Sequence, residues 1–298
     1  MSALCETRVY NDLRWLIDSP QLLAVDSNSS AQSLLDRIPL PQLSQLNSHQ
    51  SDLAQLKLEN QFPKTYRLGV YFEQLWQYVL CFDDDFANAQ HNRQVIIDKC
   101  TLGEFDSLIY DKNSSQTLHC ELAVKFYLQV GEGLHLSDWV GPNLKDRFDL
   151  KYQRLFEHQL QLSRQPKVLE WLKQQQITIE QIKLLTKGRL FYPYDQFIKQ
   201  QFVYPEQMNP VHDKGFWLTD TKLLKMLNNS NYQWYELPKM YWLSSITADD
   251  IANLVPINST YLQANLMQIV AMDNENEVMR GFMVTEEWLD KAKQRVLD

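Results

Sequence analysis

The segment Glu121-Leu122-Ala123-Val124-Lys125 sets an acid and a base into an otherwise apolar run. As a strand its side chains alternate, so Glu121, Ala123 and Lys125 share one face and Leu122 and Val124 take the other. A charge buried in a core strand without a partner is costly, so both charges must meet water, each other or a ligand. The preceding segment, Gly103-Glu104-Phe105-Asp106-Ser107-Leu108-Ile109, offers Asp106, with Glu104 at the same parity. If the two segments pair as a hairpin, Asp106 comes near Glu121 and Lys125, and a helix ahead of them brings Glu73. Carboxylate oxygens are the donors that Mg²⁺ and Mn²⁺ prefer, and a lysine beside them orients a water or stabilises charge developing on phosphate. These are the components of metal-assisted phosphodiester hydrolysis. The same residues also suit a structural ion pair between Glu121 and Lys125 at a sheet edge.

The elements that must position these groups are visible in the hydrophobic spacing. Leu68, Tyr71, Phe72, Leu75, Val79 and Leu80 predict an amphipathic helix carrying Glu73. Three strands follow: a short one at Gln94–Ile97, an alternating one at Thr101–Asp111, and a long apolar one at Thr117–Val130, with turn residues Asn113-Ser114-Ser115 between the last two. After a glycine-rich loop, Asn143 is placed to cap a helix running through Leu150, Leu155, Leu160 and Leu162, with Asp146 at its positive end. Lys151, His158 and Gln159 fall near one face of that helix, where a groove wall for phosphate and an exposed polar face both fit. Helices are predicted next at about Lys167–Gln176 and Ile179–Lys187. Near the N-terminus Val9–Ile17 reads as a helix stopped by Pro20, and the Ser/Gln/Asn-rich stretch from about Asp26 to Asn60 as a short helical arm. Leu266–Met272 and Val278–Val284 read as a hairpin before a closing helix.

Bulk properties narrow the class. The chain has 298 residues, 44% hydrophobic and 12% aromatic, which excludes a largely disordered protein. No apolar run approaches the roughly 20 residues needed to span a bilayer, and the first residues lack the apolar core of a secretory signal. A cytoplasmic protein without membrane association is expected. The four cysteines have no metal-type spacing. The net charge of −8 argues against indiscriminate coating of nucleic acid, yet Lys145 to Lys199 holds eleven Lys/Arg against six Asp/Glu. That basic segment suits either a phosphate-binding groove wall or a solvated helix face. The aromatics Trp217, Trp234, Tyr235, Tyr241 and Trp242, with His212, suit a core or a base-stacking surface. No P-loop, dinucleotide fingerprint, nucleophile elbow or zinc motif is present, which lowers the odds of an NTPase, dehydrogenase or serine hydrolase.

An aspartate in a Gly-x-x-Asp strand, a turn, and an acid-and-lysine strand, all preceded by a helix glutamate, resemble the PD-(D/E)XK nuclease superfamily. The phrases RLGVYFEQLWQYVL, TLGEFDSLIYD, ELAVKFYL, DWVGPNLKDRFDLK, EHQLQLS and GRLFYP, with RVYNDLRWLIDSPQLL near the start, resemble a bacterial family called domain of unknown function 1853, which is grouped with PD-(D/E)XK folds. The resemblance implies that Asp106 is the motif aspartate, Glu121 a second metal ligand, Lys125 the motif lysine and Glu73 the helix carboxylate. It implies further that Gln159 matches the helix glutamine of some branches, with Lys151 and His158 as phosphate contacts. One departure stands out. The usual acid lies two residues before the lysine, where this chain has Ala123. Glu121 lies four residues before it, about 13 Å along a strand instead of about 7 Å.

Residues and resemblance together lead to an α/β fold with a restriction-endonuclease-like core at about 61–205, a mixed central sheet flanked by helices. A helical N-terminal arm (1–60) and an α+β C-terminal region (206–298) would pack on it. The expected function is a Mg²⁺- or Mn²⁺-dependent nuclease acting on DNA or RNA, with Glu73, Asp106 and Glu121 holding the metal and Lys125 orienting water or stabilising charge. The alternative is a catalytically silent module of the same fold that binds nucleic acid or a protein partner.

Overall fold

The computed structural model of the chain describes residues 6–24, 32–33, 67–81, 85–229, 231–257 and 266–297. In chain order the first elements are α1 (Glu6–Asp18), β1 (Gln32–Ser33), α2 (Leu68–Cys81), β2 (Phe86–Ile97), β3 (Cys100–Asp111) and β4 (Gln116–Gln129). Next come β5 (Trp139–Val140), α3 (Phe148–Gln153), α4 (Pro166–Gln174), β6 (Gln181–Pro193) and α5 (Tyr194–Ile198). The remainder is β7 (Asp213–Thr219), α6 (Asp220–Asn229), β8 (Gln233–Leu237), α7 (Ala248–Ile251), β9 (Val255–Pro256), β10 (Met267–Asp273), β11 (Asn276–Val284) and α8 (Glu286–Leu297). The protein is mixed α/β, its sheet pairing both parallel and antiparallel and flanked by helices. Two units are distinguished, one of Leu23–Val124 and Lys151–Lys187, the other of Met1–Leu22, Lys125–Leu150 and Gly188–Asp298.

The first unit carries β2, β3, the first part of β4 and the first part of β6 as neighbours, with β1 parallel to β6. β2 and β3 run antiparallel with Gln94 opposite Glu104, and β3 and β4 antiparallel with Ser107 opposite Cys120. Val95, Phe105 and Leu108 from the hairpin meet Leu162, Val168 and Leu172 in one buried cluster. Helix α2 buries Tyr71, Phe72, Leu75, Trp76 and Val79. This apolar face, with an approximate period of 3.6, leaves Glu73 on the helix flank.

In the second unit β6, β7, β11, β10, β8 and β9 follow one another, β7 parallel to both β6 and β11. β10 is antiparallel to β11 and β8. Phe216, Leu218, Trp234, Ile269, Ala271 and Met283 form its core. Gly188 shows how closely β6 approaches β4 here. Its φ is +143°, and a Cβ on it would lie 1.7 Å from the Lys125 carbonyl oxygen.

Several expectations agree with these elements: α1, α2, the β3–β4 hairpin, and the β10–β11 hairpin before α8. The arm expected from Asp26 to Asn60 lies, except for residues 32–33, outside the described residues. Three expectations are corrected. β2 begins at Phe86, well before Gln94; its alternation is hidden by a bulge between Ala87 and Gln90, where Asn88 takes a left-handed φ, and by a second left-handed residue, Asn92. The segment expected to be helical at Ile179–Lys187 belongs to strand β6, which is buried nearly throughout, as a strand covered on both faces is. The helix expected after Asn143 starts only at Phe148, and it gives way to a π-helical turn at Arg154–Gln159, with Leu160 N bonded to Leu155 O at 2.9 Å.

Candidate functional site: a buried carboxyl pair

Glu121 sits on β4 with no exposed surface, the most costly position for a charge. The antiparallel register brings Asp106 of β3 beside it, and Asp106 Oδ2 accepts the backbone N–H of Leu122 at 2.9 Å. The two carboxyls hydrogen-bond each other. Glu121 Oε1 lies 2.8 Å from His119 Nε2, and Glu121 Oε2 accepts from Gln159 Nε2 at 2.8 Å. Gln159 Oε1 in turn accepts from Lys151 Nζ at 3.1 Å. The π-helical turn delivers Gln159; such insertions re-aim a helix face and recur at functional sites.

The electrostatics follow from burial. Asp106 is pushed up to about 7, first by desolvation and then by the charge of Glu121. Desolvation also pushes Glu121 up to about 8, partly offset by its hydrogen bonds to Asp106 and Gln159 and by the Lys151 charge. Two acids this close titrate as one unit. His119 is held down to about 4 by burial, so near neutrality it is an uncharged donor to Glu121 and their contact is a hydrogen bond instead of an ion pair. Its ring packs edge-on against Phe105, 4.7 Å between centroids, and its Nδ1 is buried without a hydrogen-bond partner.

Glu73 is also raised, by burial and then by the charge of Asp106, with Asn92 Nδ2 donating to it at 3.3 Å. Glu104 adds to its repulsion. Thus Glu73, Asp106, Glu121, Lys151 and Gln159 are connected within one unit. His158 is exposed and takes part in none of these hydrogen bonds. Lys125, in the other unit, donates to Asp146 Oδ2 at 2.7 Å, and Tyr127 Oη donates to Asp146 Oδ1 at 3.1 Å. Asn143 Oδ1 accepts from the Asp146 N–H, so the cap expected for a helix instead fixes the loop that holds Lys125.

Sequence reasoning missed His119, Asn92 and Asp146 as members of these networks. His119 had a readable signal, since it lies two residues before Glu121 on the same strand face. Asn92 and Asp146 had none, because a left-handed backbone conformation and a loop set their positions.

The donor chemistry suits a hard divalent cation. Asp106 and Glu121 offer carboxyl oxygens on adjacent strands, and Mg²⁺ typically takes one or two carboxylates and completes its shell with water and phosphate oxygens. Among the described residues, no three His, Cys, Asp or Glu side chains form a ready cation cage. No helix among them is long and apolar enough to cross a membrane.

Fold and site define a mixed α/β protein whose sheet sets a half-buried aspartate, Asp106, beside a fully buried glutamate, Glu121. Residues 11–295 match a family described as domain of unknown function (DUF1853), and the chain belongs to that family. Comparisons with curated proteins and with solved structures give no match.

Proposed function

We propose that the chain is a Mg²⁺- or Mn²⁺-dependent nuclease hydrolysing phosphodiester bonds in DNA or RNA, on a restriction-endonuclease-like core. The observation that carries this reading is the Asp106–Glu121 pair, a half-buried and a fully buried acid side by side on β3 and β4, both with raised pKa values, a setting suited to exchanging a proton for a cation. Asp106 and Glu121, with Glu73 nearby, would hold the metal. When bound there, the cation would supply Lewis-acid polarisation of a phosphoryl oxygen. His119 and Gln159 fix the orientation of Glu121, and Gln159 passes the hold on to Lys151, whose ammonium suits a phosphate. Lys125, steadied by Asp146, would orient the attacking water or stabilise charge, as the motif lysine does in the superfamily the sequence resembles. The surplus of Lys and Arg between Lys145 and Lys199 supports a nucleic-acid partner.

A second reading is a catalytically silent module of the same fold that binds nucleic acid or a protein partner. The engagement of Lys125 by Asp146 at 2.7 Å favours it, since that ammonium is already paired. Incubating mixed DNA and RNA with wild type and with Asp106→Asn, in Mn²⁺ or Mg²⁺, separates the two. Cleavage lost in the variant supports the nuclease, whereas intact substrate that is still bound supports the silent module.

A further inference from the structure

A cavity of about 570 Å³ opens in the second unit, a volume typical of small-molecule sites. Its wall is made of partly buried side chains. Tyr194 of α5, Met226 of α6 and Met279 of β11 pack on the core behind them, and each also lines the cavity. Trp234, only 3% exposed, belongs to that core. Tyr232 completes the aromatic lining and is 36% exposed. Tyr194 packs edge-on to Phe216, 5.3 Å between centroids, an arrangement that engages no more than one face of its ring. Its phenol is raised first by burial, then by Asp195 and by Tyr232, so the two tyrosines lie within electrostatic reach of each other. The exposed polar residues of the lining are Asn231 and Asp273. Asp273 ends β10 opposite Asn276, and its Oδ1 accepts from Asn274 Nδ2 at 3.1 Å. It forms no ion pair among the described residues, and none of the described lining residues is cationic. Lys222, on α6 beside Tyr194 and Met226 in the fold, is already bound by Asp195 at 2.6 Å.

This lining discriminates by charge and by hydration. An anion would meet the Asp273 carboxylate and the negative faces of two rings, and is repelled. A neutral apolar guest gains from the rings and thioethers but nothing from the carboxylate. A primary ammonium is compact and strongly hydrated, with three N–H donors to satisfy, and the partly buried wall offers it rings and thioethers instead of carboxylates. A quaternary ammonium has no N–H to satisfy. Its methyl groups bury against the rings and the soft methionine sulfurs, while its charge is drawn to the π faces and to Asp273. We infer that this cavity is a binding site for a quaternary ammonium group, held by the rings of Tyr194 and Tyr232, by the thioethers of Met226 and Met279 and by the charge of Asp273. The volume leaves room for the small molecule that carries the nitrogen.

The test titrates choline into the full chain, in EDTA so that no metal takes part, and follows the NMR signal of its methyl protons. Dimethylbutanol, choline with carbon in place of nitrogen, keeps the shape and removes the charge. Ethanolamine keeps the charge and removes the methyl groups. Choline is expected to bind about tenfold or more tighter than either. Tyr232→Leu and Asp273→Asn, both at exposed positions, should each weaken choline about threefold or more. Phosphatidylcholine vesicles distinguish the source of the group. Choline binding without co-flotation assigns it to a soluble molecule, whereas co-flotation that Asp273→Asn abolishes assigns it to a lipid headgroup. No binding of choline, equal affinity for dimethylbutanol or ethanolamine, or binding that both substitutions leave unchanged would each overturn the assignment. Asp106→Asn should bind choline as the wild type does, whether or not the chain cleaves nucleic acid.

Discussion

Gln159 Nε2 lies 2.8 Å from Glu121 Oε2, a bond between residues 38 positions apart that ties a π-helical turn to the most deeply buried acid of the sheet. With His119 on the other oxygen, Glu121 is fixed at both ends before any ligand arrives. Replacing Gln159 by Leu would remove the hydrogen bond it donates to Glu121 Oε2 and the one it accepts from Lys151. The loss expected in urea unfolding is about 1–3 kcal/mol. A change within error would mean that the bond contributes nothing to the fold.

The raised pKa values of Asp106 and Glu121 make stability depend on pH in a definite direction. Both acids titrate higher in the folded protein, toward 7 and 8, than in the unfolded chain. Between those ranges the folded state binds more protons, so its stability falls as pH rises. The neutral His119 and His212, both held near 4, act oppositely, but only below about pH 6.5, where the unfolded chain protonates its histidines. The clean window is therefore pH 6.5 to 8. In EDTA, Tm should drop across that window in the wild type and drop less in Asp106→Asn.

A cation competing for the same oxygens must displace a bound proton. Mn²⁺ should therefore raise Tm, and raise it more at pH 8 than at pH 6.5, with a concentration dependence that follows its affinity. Asp106→Asn should remove most of the rise. An equal rise in that variant would place the cation elsewhere.

Two glycines provide a contrast within the fold. Gly188→Ala demands both a left-handed φ and a Cβ 1.7 Å from the Lys125 carbonyl oxygen, so the backbone must move. It should destabilise by about 3 kcal/mol or more, or prevent folding. Gly69, on helix α2, has nothing within 4 Å of an added Cβ. Gly69→Ala should be neutral or stabilise by up to about 1 kcal/mol.

Much of this arrangement was legible in the sequence. The 3.6-residue spacing from Leu68 to Leu80 and the alternation around Asp106 located α2, the hairpin and the carboxyl pair, because local periodicity determines each of them. The partner of Lys125 was not legible. Face parity pointed to Glu121, but the pairing depends on how the loop after Gly141 folds, and that loop presents Asp146. Strand β6 was misread because Gln181–Lys187 has no glycine or proline within it, and its buried lysines, Lys183 and Lys187, mimic a solvated helix face. The reach of Gln159 depended on a π-helical turn that helical spacing cannot reveal.

Asp146 is expected to act through Lys125. Asp146→Asn keeps the shape and removes the charge that orients the ammonium, so cleavage should fall about tenfold to a hundredfold. Tyr127→Phe, which removes the other contact to Asp146, should have a smaller effect on the same assay. Unchanged cleavage in Asp146→Asn would mean that the ion pair is structural.

The most direct measurement is the rate at which purified wild type, Asp106→Asn and Glu121→Gln cleave single- and double-stranded DNA and RNA in Mn²⁺, with an EDTA control and matched thermal melts. The carboxyl-pair account predicts cation-dependent cleavage by the wild type and at least about a hundredfold loss in both folded variants. Cleavage that persists in both variants, or in EDTA, would contradict it, as would a wild type that cleaves none of these substrates and is not stabilised by the cation.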